Sequence, residues 1–302
     1  MTVLSTADIA RLFNVTETTV KRWADEGTLK CQKTPGGHRK FLIRNVVEFA
    51  ERNNFEPVGI LAFSETDALA PAIQMAVLSR DFGTLVDSFI HKALSPSKTD
   101  LASFLSYLYE HRIHLWEIHD LVLRPAMATI GERWANGELD VSHEHRASYE
   151  TLDALARLQS QIMIKPALGN VALFACPGEE LHEIGLRCAS YLFESEGWTT
   201  HYLGARVPSE ALVAAVCELK PVVVCLSVTR QIVNPETESQ MLRLSSAARK
   251  QGALIVAGGS GAGSEPFGRP NVDRVVSSSR ELLDLMSGVG HSTGPLGAGD
   301  SA

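Results

Sequence analysis

The chain has 302 residues, of which 45% are hydrophobic and 21% charged, a composition typical of a globular protein with two domains or three small ones. It contains no run of about 20 apolar residues, and its first residues lack the basic-then-apolar order of a signal peptide, which argues against a membrane-embedded or secreted protein. Five cysteines at scattered spacings argue against a disulfide framework and favour a cytoplasmic location.

The net charge of −7 is unevenly distributed along the chain. Residues 1–50 carry eight Lys and Arg against five Asp and Glu, whereas residues 51–302 carry 20 against 30. The N-terminal segment is therefore basic and the remainder is acidic. This asymmetry predicts that only the N-terminal segment contacts a polyanion.

The first fifty residues predict two short helices followed by a basic hairpin. Apolar residues recur with helical spacing over residues 5–13, and a second helix is expected over residues 16–27, where Gly27 ends it. Two extended pieces around a Pro-Gly-Gly turn at residues 35–37 follow, and then a third helix near residues 43–51. This order predicts a winged helix-turn-helix domain over residues 1–52.

Residues 53–66 lack strong periodicity and are predicted to be a linker. Over residues 67–166, apolar side chains recur at helical spacing, which predicts a small bundle of four or five helices. The five segments with this spacing are 72–79, 82–94, 100–112, 118–134 and 143–164. Over residues 167–288, short apolar runs alternate with helical stretches, which predicts a parallel, Rossmann-like sheet. The small, polar residues 289–302 are predicted to be a disordered tail. The expected fold class is thus multidomain α and α/β.

Candidate DNA contacts lie on the second predicted helix and on the hairpin. The helix would present its polar side chains to a major groove, and the hairpin would reach phosphates or the minor groove. The candidates are Thr18, Thr19, Lys21, Arg22, Lys33, Arg39 and Lys40. A basic face that meets only solvent is the alternative.

The motifs VKRW, GTL and GGHRKF make residues 3–50 similar to the excisionase-type branch of the MerR superfamily. The resemblance implies binding to operator DNA. It also implies that Trp23 and His38 serve as packing and turn residues rather than as base contacts.

A histidine follows the first strand of the predicted sheet, in the motif Glu180-x-His182-x-x-Gly185. Loops at the carboxyl edge of a parallel sheet are where such folds bind ligands. An acidic residue two positions before a histidine can hydrogen-bond one ring nitrogen and so orient the other toward a metal. The alternative is a loop histidine without a ligand.

Small and hydroxyl residues end the later strands of the predicted sheet. Ser227 and Thr229 lie at the end of the third strand, and Gly258 and Gly259 at the end of the fourth. Such residues would open a deep slot with exposed backbone, as a long nucleotide-like tail requires. With the histidine motif, they make residues 168–288 similar to the cobalamin-binding fold of methionine synthase and the base-off/His-on mutases. The resemblance implies that His182 is the lower cobalt ligand, with Glu180 standing where that family usually has Asp.

Trp134 lies in the predicted bundle and is followed, after nine residues, by Glu144 and His145. These two are expected in the first turn of a helix, where the helix dipole favours a carboxylate and a neutral imidazole. The alternative is that Trp134 packs in the core and that the start of the next helix simply faces solvent. A zinc site formed by His143 and His145 is a less favoured alternative, because side chains two residues apart on a helix point in different directions.

The Trp-x9-Glu-His spacing and the order of the three domains make residues 3–288 similar to the CarH/LitR group of cobalamin-dependent photoreceptor repressors. The resemblance implies that Trp134 covers the 5′-deoxyadenosyl group of adenosylcobalamin and that Glu144 and His145 flank it. It also implies a homo-oligomer on operator DNA, a tetramer in that group, that light dissociates. Members with the full photochemical cycle have a histidine directly after the tryptophan, and this chain has Ala135 there.

Two other functions stay open at this point. Because Ala135 replaces that histidine, the same architecture could sense haem or another tetrapyrrole through an axial His182 or His145. The bundle and sheet would also suit a corrinoid methyltransferase component, but a basic helix-turn-helix domain has no role in a methyl shuttle. Absorption spectra distinguish haem from cobalamin.

Overall fold

A computed structural model describes residues 3–13, 15–34, 36–53, 69–95, 101–229, 235–263, 267 and 271–289. Most of the linker predicted at 53–66 and of the tail predicted at 289–302 lies outside these residues. The chain divides into two compact units. One unit comprises Met1–Ile113 and Leu121–Ala147, and the other comprises His114–Asp120 and Ser148–Ala302.

The N-terminal part of the first unit is a winged helix-turn-helix. Its elements are β1 (Val3–Ser5), α1 (Thr6–Leu12), α2 (Glu17–Asp25), β2 (Gln32–Lys33), β3 (Arg39–Leu42) and α3 (Ile43–Arg52). The strands form an antiparallel sheet in the order β1-β3-β2. Strand β1 was not predicted, since three residues give too little pattern and their partner strand lies far along the chain.

Aromatic packing and caps explain this arrangement of short elements. Trp23 packs on Phe49 and Phe13, with ring centroids 4.8 and 6.0 Å apart, so its predicted packing role is confirmed. Thr16 caps α2 by accepting a hydrogen bond from the Thr19 backbone N–H. Gly27, with φ of +75°, follows the helix in the left-handed conformation that a glycine adopts without strain.

The predicted helical bundle is confirmed. Its elements are α4 (Ala70–Ser79), α5 (Phe82–Leu94), α6 (Leu101–Glu110), α7 (Leu115–Glu117), a π-helical segment (Ile118–Leu123), α8 (Arg124–Ala135) and α9 (Val141–Gln159). The predicted helix over 118–134 thus begins with a π turn. Pro125 has no N–H to donate back to the preceding turn, which accounts for an irregular start.

Helix α9 ends at Gln159, earlier than the predicted helical pattern, which continues to Ile164. In the segment after α9, the Lys165 backbone N–H donates a 3.0 Å hydrogen bond to the carbonyl of Ser195, the last residue of the following helix. Met163 and Ile164 lie exposed on this segment.

The second unit contains the predicted parallel sheet. Its elements are β4 (Val171–Pro177), α10 (Ile184–Ser195), β5 (Thr199–Val207), α11 (Ser209–Leu219), β6 (Val223–Ser227), α12 (Pro235–Gln251), β7 (Leu254–Gly258), β8 (Arg274–Val276) and α13 (Ser279–Val289). The strand order is β5-β4-β6-β7-β8, and every pair is parallel. The carboxyl ends of all five strands therefore meet at one edge of the sheet. Among the described residues, no helix is long and apolar enough to cross a bilayer.

Candidate cobalamin-binding and DNA-binding sites

Glu180 is the centre of the loop that follows β4. Its side chain is 3% exposed, and its Oε1 accepts hydrogen bonds from the backbone N–H groups of Leu181 and His182, both at 2.9 Å. Oε2 accepts a 2.6 Å hydrogen bond from the backbone N–H of Thr229, beyond the end of β6. A buried carboxylate with several donors fixes the loop against the neighbouring strand.

The same carboxylate orients His182. Nδ1 of His182 lies 2.6 Å from Oε1 of Glu180, so this ring nitrogen carries the proton and donates it to the carboxylate. The imidazole is 51% exposed. A ring held by Nδ1 and open to solvent is the usual preparation for metal coordination through Nε2.

Two further side chains hold the backbone of His182. The Ser227 hydroxyl donates to the His182 carbonyl at 3.0 Å, and the Cys176 thiol donates to the same oxygen at 3.7 Å. Burial, reinforced by the charges of Glu180 and Glu183, raises the pKa of Cys176 to about 12, so the thiol stays protonated and can donate. This role for Cys176 was not predicted from the sequence.

Two outer contacts, also missed from the sequence, hold the ends of the loop. The Arg206 guanidinium donates to Glu179 at 2.6 Å, and the Tyr202 hydroxyl donates to Glu183 at 2.7 Å. Arg206 has φ of +56°, an uncommon conformation for a residue with a side chain, and its N–H donates to the Glu180 carbonyl. Hydroxyl and guanidinium groups on the adjacent strand were the signals available in the sequence.

The predicted glycines differ in their surroundings. A Cβ at Gly259, which has φ of +108°, would lie 2.3 Å from the Val228 carbonyl oxygen, so this glycine is required by the fold. A Cβ at Gly258 would make only ordinary contacts, at 3.5 Å. Gly185 lies exposed in the first turn of α10, and a Cβ there would meet no described atom within 4 Å beyond its chain neighbours and its own helix backbone.

In the first unit, Trp134 lies exposed near the end of α8, and Glu144 and His145 lie in the first turn of α9. Nδ1 of His145 is 2.5 Å from Oε2 of Glu144, and the imidazole is 74% exposed. Arg146 anchors this turn by donating to the Leu94 carbonyl at 2.9 Å, a contact not predicted from the sequence. No cluster of three metal-ligating side chains occurs among the described residues, which leaves the zinc alternative without support.

The candidate DNA contacts on α2 lie on its solvent side. Thr18, Lys21 and Arg22 are exposed, with Lys21 and Arg22 near Glu17 and Glu26 at 3.7 and 3.9 Å. Thr19 is less accessible, and its hydroxyl lies 3.0 Å from that of Thr16.

The candidates on the hairpin differ from one another. Arg39 and Lys33 both contact Asp25, the last residue of α2, whereas Lys40 pairs in register with Ser5 of β1. This carboxylate between the two cations was not predicted from the sequence.

Comparison with known proteins identifies domains of known type along the chain. Residues 3–54 match the family described as a helix-turn-helix domain, and residues 87–159 and 170–284 match two families each described as a B12 binding domain. The chain is 29% identical over 267 residues to the HTH-type transcriptional repressor CarH of Myxococcus xanthus, covering 84% of this chain and 87% of that protein. It is 36% identical over 111 residues to the repressor CarA of the same organism, covering 37% and 36%.

A solved structure, that of the monomethylamine corrinoid protein of Methanosarcina barkeri, shares the fold. The TM-score is 0.55 at 15% sequence identity, and the match covers 70% of this chain and 99% of the other.

Proposed function

We propose that this chain, a cobalamin-binding and DNA-binding regulator of the CarH type, is a transcriptional repressor whose DNA affinity is controlled by adenosylcobalamin and by light. The observation that carries the proposal is the Glu180–His182 pair, a histidine whose Nδ1 is held by a buried carboxylate at the carboxyl edge of the sheet. The helix-turn-helix and B12-binding matches, and the likeness to CarH and CarA, give its context. No enzymatic activity is part of the proposal, since these relatives are repressors.

The residues of the second unit fit the lower side of a corrin. His182 would coordinate cobalt through Nε2, because the carboxylate of Glu180 engages Nδ1. Ser227 and Thr229 would lie along the dimethylbenzimidazole tail, with Gly258 and Gly259 lining its slot.

The residues of the first unit would serve the upper ligand. We assign Trp134 to cover the deoxyadenosyl group and Glu144 and His145 to flank it. When bound, adenosylcobalamin supplies a light-sensitive cobalt–carbon bond. With Ala135 after the tryptophan, an imidazole at that position is not available to replace the adenosyl group, so the protein needs another way to register its loss.

Assembly would couple the cofactor to DNA binding. A single small helix-turn-helix domain contacts few phosphates and binds weakly, whereas several domains linked through an oligomer gain a large effective concentration on adjacent sites. We propose a dimer or tetramer that binds operator DNA in the dark and dissociates in light.

Absorption spectroscopy and gel filtration of the purified full chain test the proposal. With adenosylcobalamin in the dark, the protein should retain the visible bands of a corrin, elute as an oligomer and bind DNA selected from a random-sequence pool. Green light should shift the spectrum and reduce both size and DNA binding. A Soret band after incubation with haem, together with no retention of cobalamin, would overturn the proposal in favour of a haem sensor. An unchanged size and DNA affinity after illumination would refute light control.

A further inference from the structure

Two cations lie directly opposite each other on the hairpin of the helix-turn-helix domain. Lys33 of β2 pairs in register with Arg39 of β3, so their side chains share one face of the sheet. Like charges at directly opposed positions destabilise an antiparallel pair. Strand β2 is only two residues long, and both of its residues are exposed.

One carboxylate compensates both cations. Nη2 of Arg39 donates to Oδ1 and Oδ2 of Asp25 at 2.7 and 2.8 Å, and Nζ of Lys33 donates to Oδ1 at 3.3 Å. Asp25 is the last residue of α2, so these bonds join the hairpin to that helix. The Arg39 hydrogen bond holds the pKa of Asp25 below its usual range, and the carboxylate is therefore charged at neutral pH.

The two cations are held unequally. The Arg39 side chain is 18% exposed and makes short bonds to both oxygens, whereas the Lys33 side chain is 59% exposed and makes one longer bond. An exposed single-bond ion pair contributes little stability and exchanges its partner readily, whereas a packed guanidinium loses its contacts if it moves.

We propose that Asp25 and Arg39 are positioning residues that hold the hairpin against α2, and that Lys33 is the hairpin cation that exchanges Asp25 for a DNA phosphate. The inference rests on the proposed DNA-binding function, and it assigns Arg39 a structural role and Lys33 a phosphate-binding role. Arg39 would then act on DNA only through the placement of Lys33 and Lys40.

The substitution Asp25→Asn in the full chain separates positioning from simple charge. It removes a negative charge beside the DNA, which by electrostatics alone would raise affinity. If Asp25 positions the hairpin, affinity for a duplex selected by the unmutated chain should instead fall by about tenfold, as expected for losing a charge-assisted hydrogen bond. Asp25→Glu, which keeps the charge, should recover part of the loss.

Glu26→Gln is the matched control, because Glu26 is the next residue, carries the same charge and pairs with Arg22 of its own helix. Its affinity should equal or exceed that of the unmutated chain. Equal or tighter binding by Asp25→Asn would overturn the inference.

The salt dependence of binding assigns the cations. Lys33→Gln should lower the slope of log affinity against log salt by about 0.9, the value for one lost phosphate contact. Arg39→Lys, which keeps a cation but loses the guanidinium bonds to both oxygens of Asp25, should weaken binding. A slope unchanged by Lys33→Gln, or full affinity in Arg39→Lys, would contradict the assignment.

Amide hydrogen exchange distinguishes a displaced hairpin from an unfolded domain. The Thr34 N–H donates to the His38 carbonyl at the hairpin turn, and this amide should exchange faster in Asp25→Asn, while the Leu29 amide, which donates to the Trp23 carbonyl, stays protected. Unchanged exchange at Thr34 would count against a positioning role. If the unmutated chain selects no duplex, the proposed function fails; if it does and Asp25→Asn behaves as Glu26→Gln, only this inference fails.

Discussion

Nδ1 of His182 donates a 2.6 Å hydrogen bond to Oε1 of Glu180, and the other oxygen of that carboxylate binds the backbone N–H of Thr229. The buried carboxylate of Glu180 thus accepts hydrogen bonds from the imidazole, from the backbone of its own loop and from the segment after the neighbouring strand. The carboxylate has two functions: it fixes the imidazole for coordination and it satisfies the backbone of the loop.

Glu180→Gln should therefore weaken cobalamin binding by about 10- to 100-fold. The amide oxygen is a poorer acceptor for the His182 ring than a carboxylate oxygen, and the amide NH2 would face backbone N–H groups that need an acceptor. Equilibrium titration followed by absorbance measures the loss. Denaturant unfolding of the cobalamin-free protein should show a parallel destabilisation of about 1–3 kcal/mol, the cost of leaving a buried donor unpaired.

Glu210→Gln is the control for this substitution, since Glu210 lies in the same unit with an exposed side chain and a 4.0 Å ion pair to Arg243. It should leave both affinity and stability near their original values. Wild-type affinity in Glu180→Gln would contradict the assigned role of the carboxylate.

Gly259→Ala should destabilise the sheet unit. The backbone there has φ of +108°, and the new Cβ would lie 2.3 Å from the Val228 carbonyl oxygen. We expect a loss of more than about 1–3 kcal/mol, the usual cost of such strain alone. Gly258→Ala, whose Cβ would make contacts at 3.5 Å, should unfold like the unmutated protein in the same thermal scan. Equal stability of the two variants would show that the close approach at Gly259 is not required.

Gly185→Ala tests whether the open space beside α10 receives the cofactor. Beyond the chain neighbours and the helix's own backbone, no described atom lies within 4 Å of the added Cβ, and alanine favours a helix over glycine by up to about 1 kcal/mol. Stability should hold or rise while cobalamin affinity falls. Gly288→Ala in α13, another helical position with space for a Cβ, should change neither. Undiminished cobalamin binding by Gly185→Ala would remove Gly185 from the site.

The buried His119 should make the protein sensitive to mild acid. Within the described part of the chain, neither of its ring nitrogens has a hydrogen-bond partner, and burial lowers its pKa to about 3. In the unfolded chain this histidine binds a proton near its ordinary pKa of 6.5, so its contribution to stability is full above that pH and falls as the pH drops toward 3. The loss approaches about 1.4 kcal/mol per pH unit within that window.

His119→Leu should flatten the dependence of unfolding free energy on pH between pH 6 and about 4, as measured by denaturant titrations at several pH values. His38→Gln, at an exposed hairpin position, serves as the control and should retain the original slope. The same slope in His119→Leu would mean that His119 is not the group responsible.

The sequence predicted best the structure formed by residues that lie close together along the chain. The periodicity of apolar residues predicted the strands and helices of the sheet, and the two-residue spacing of Glu180 and His182 predicted their hydrogen bond. Local patterns contain this information because both partners lie within one element or one loop.

Contacts between distant residues could not be predicted in the same way. Arg39 donates to Asp25, which lies 14 residues earlier in the chain. The backbone N–H of Thr229 donates to the Glu180 carboxylate, 49 residues earlier. Basic side chains on a hairpin give the same pattern whether they bind phosphate or a carboxylate of the protein itself. Only the tertiary structure distinguishes these roles.

Electron paramagnetic resonance of Co(II) cobalamin bound to the full chain tests most directly whether His182 coordinates cobalt. We expect hyperfine coupling to one axial nitrogen, which should change from three lines to two when the protein's histidines carry nitrogen-15. This change on labelling should not occur in His182→Ala. Coupling unaffected by labelled histidine would mean that the cofactor keeps its own base as the lower ligand, and would contradict coordination by His182.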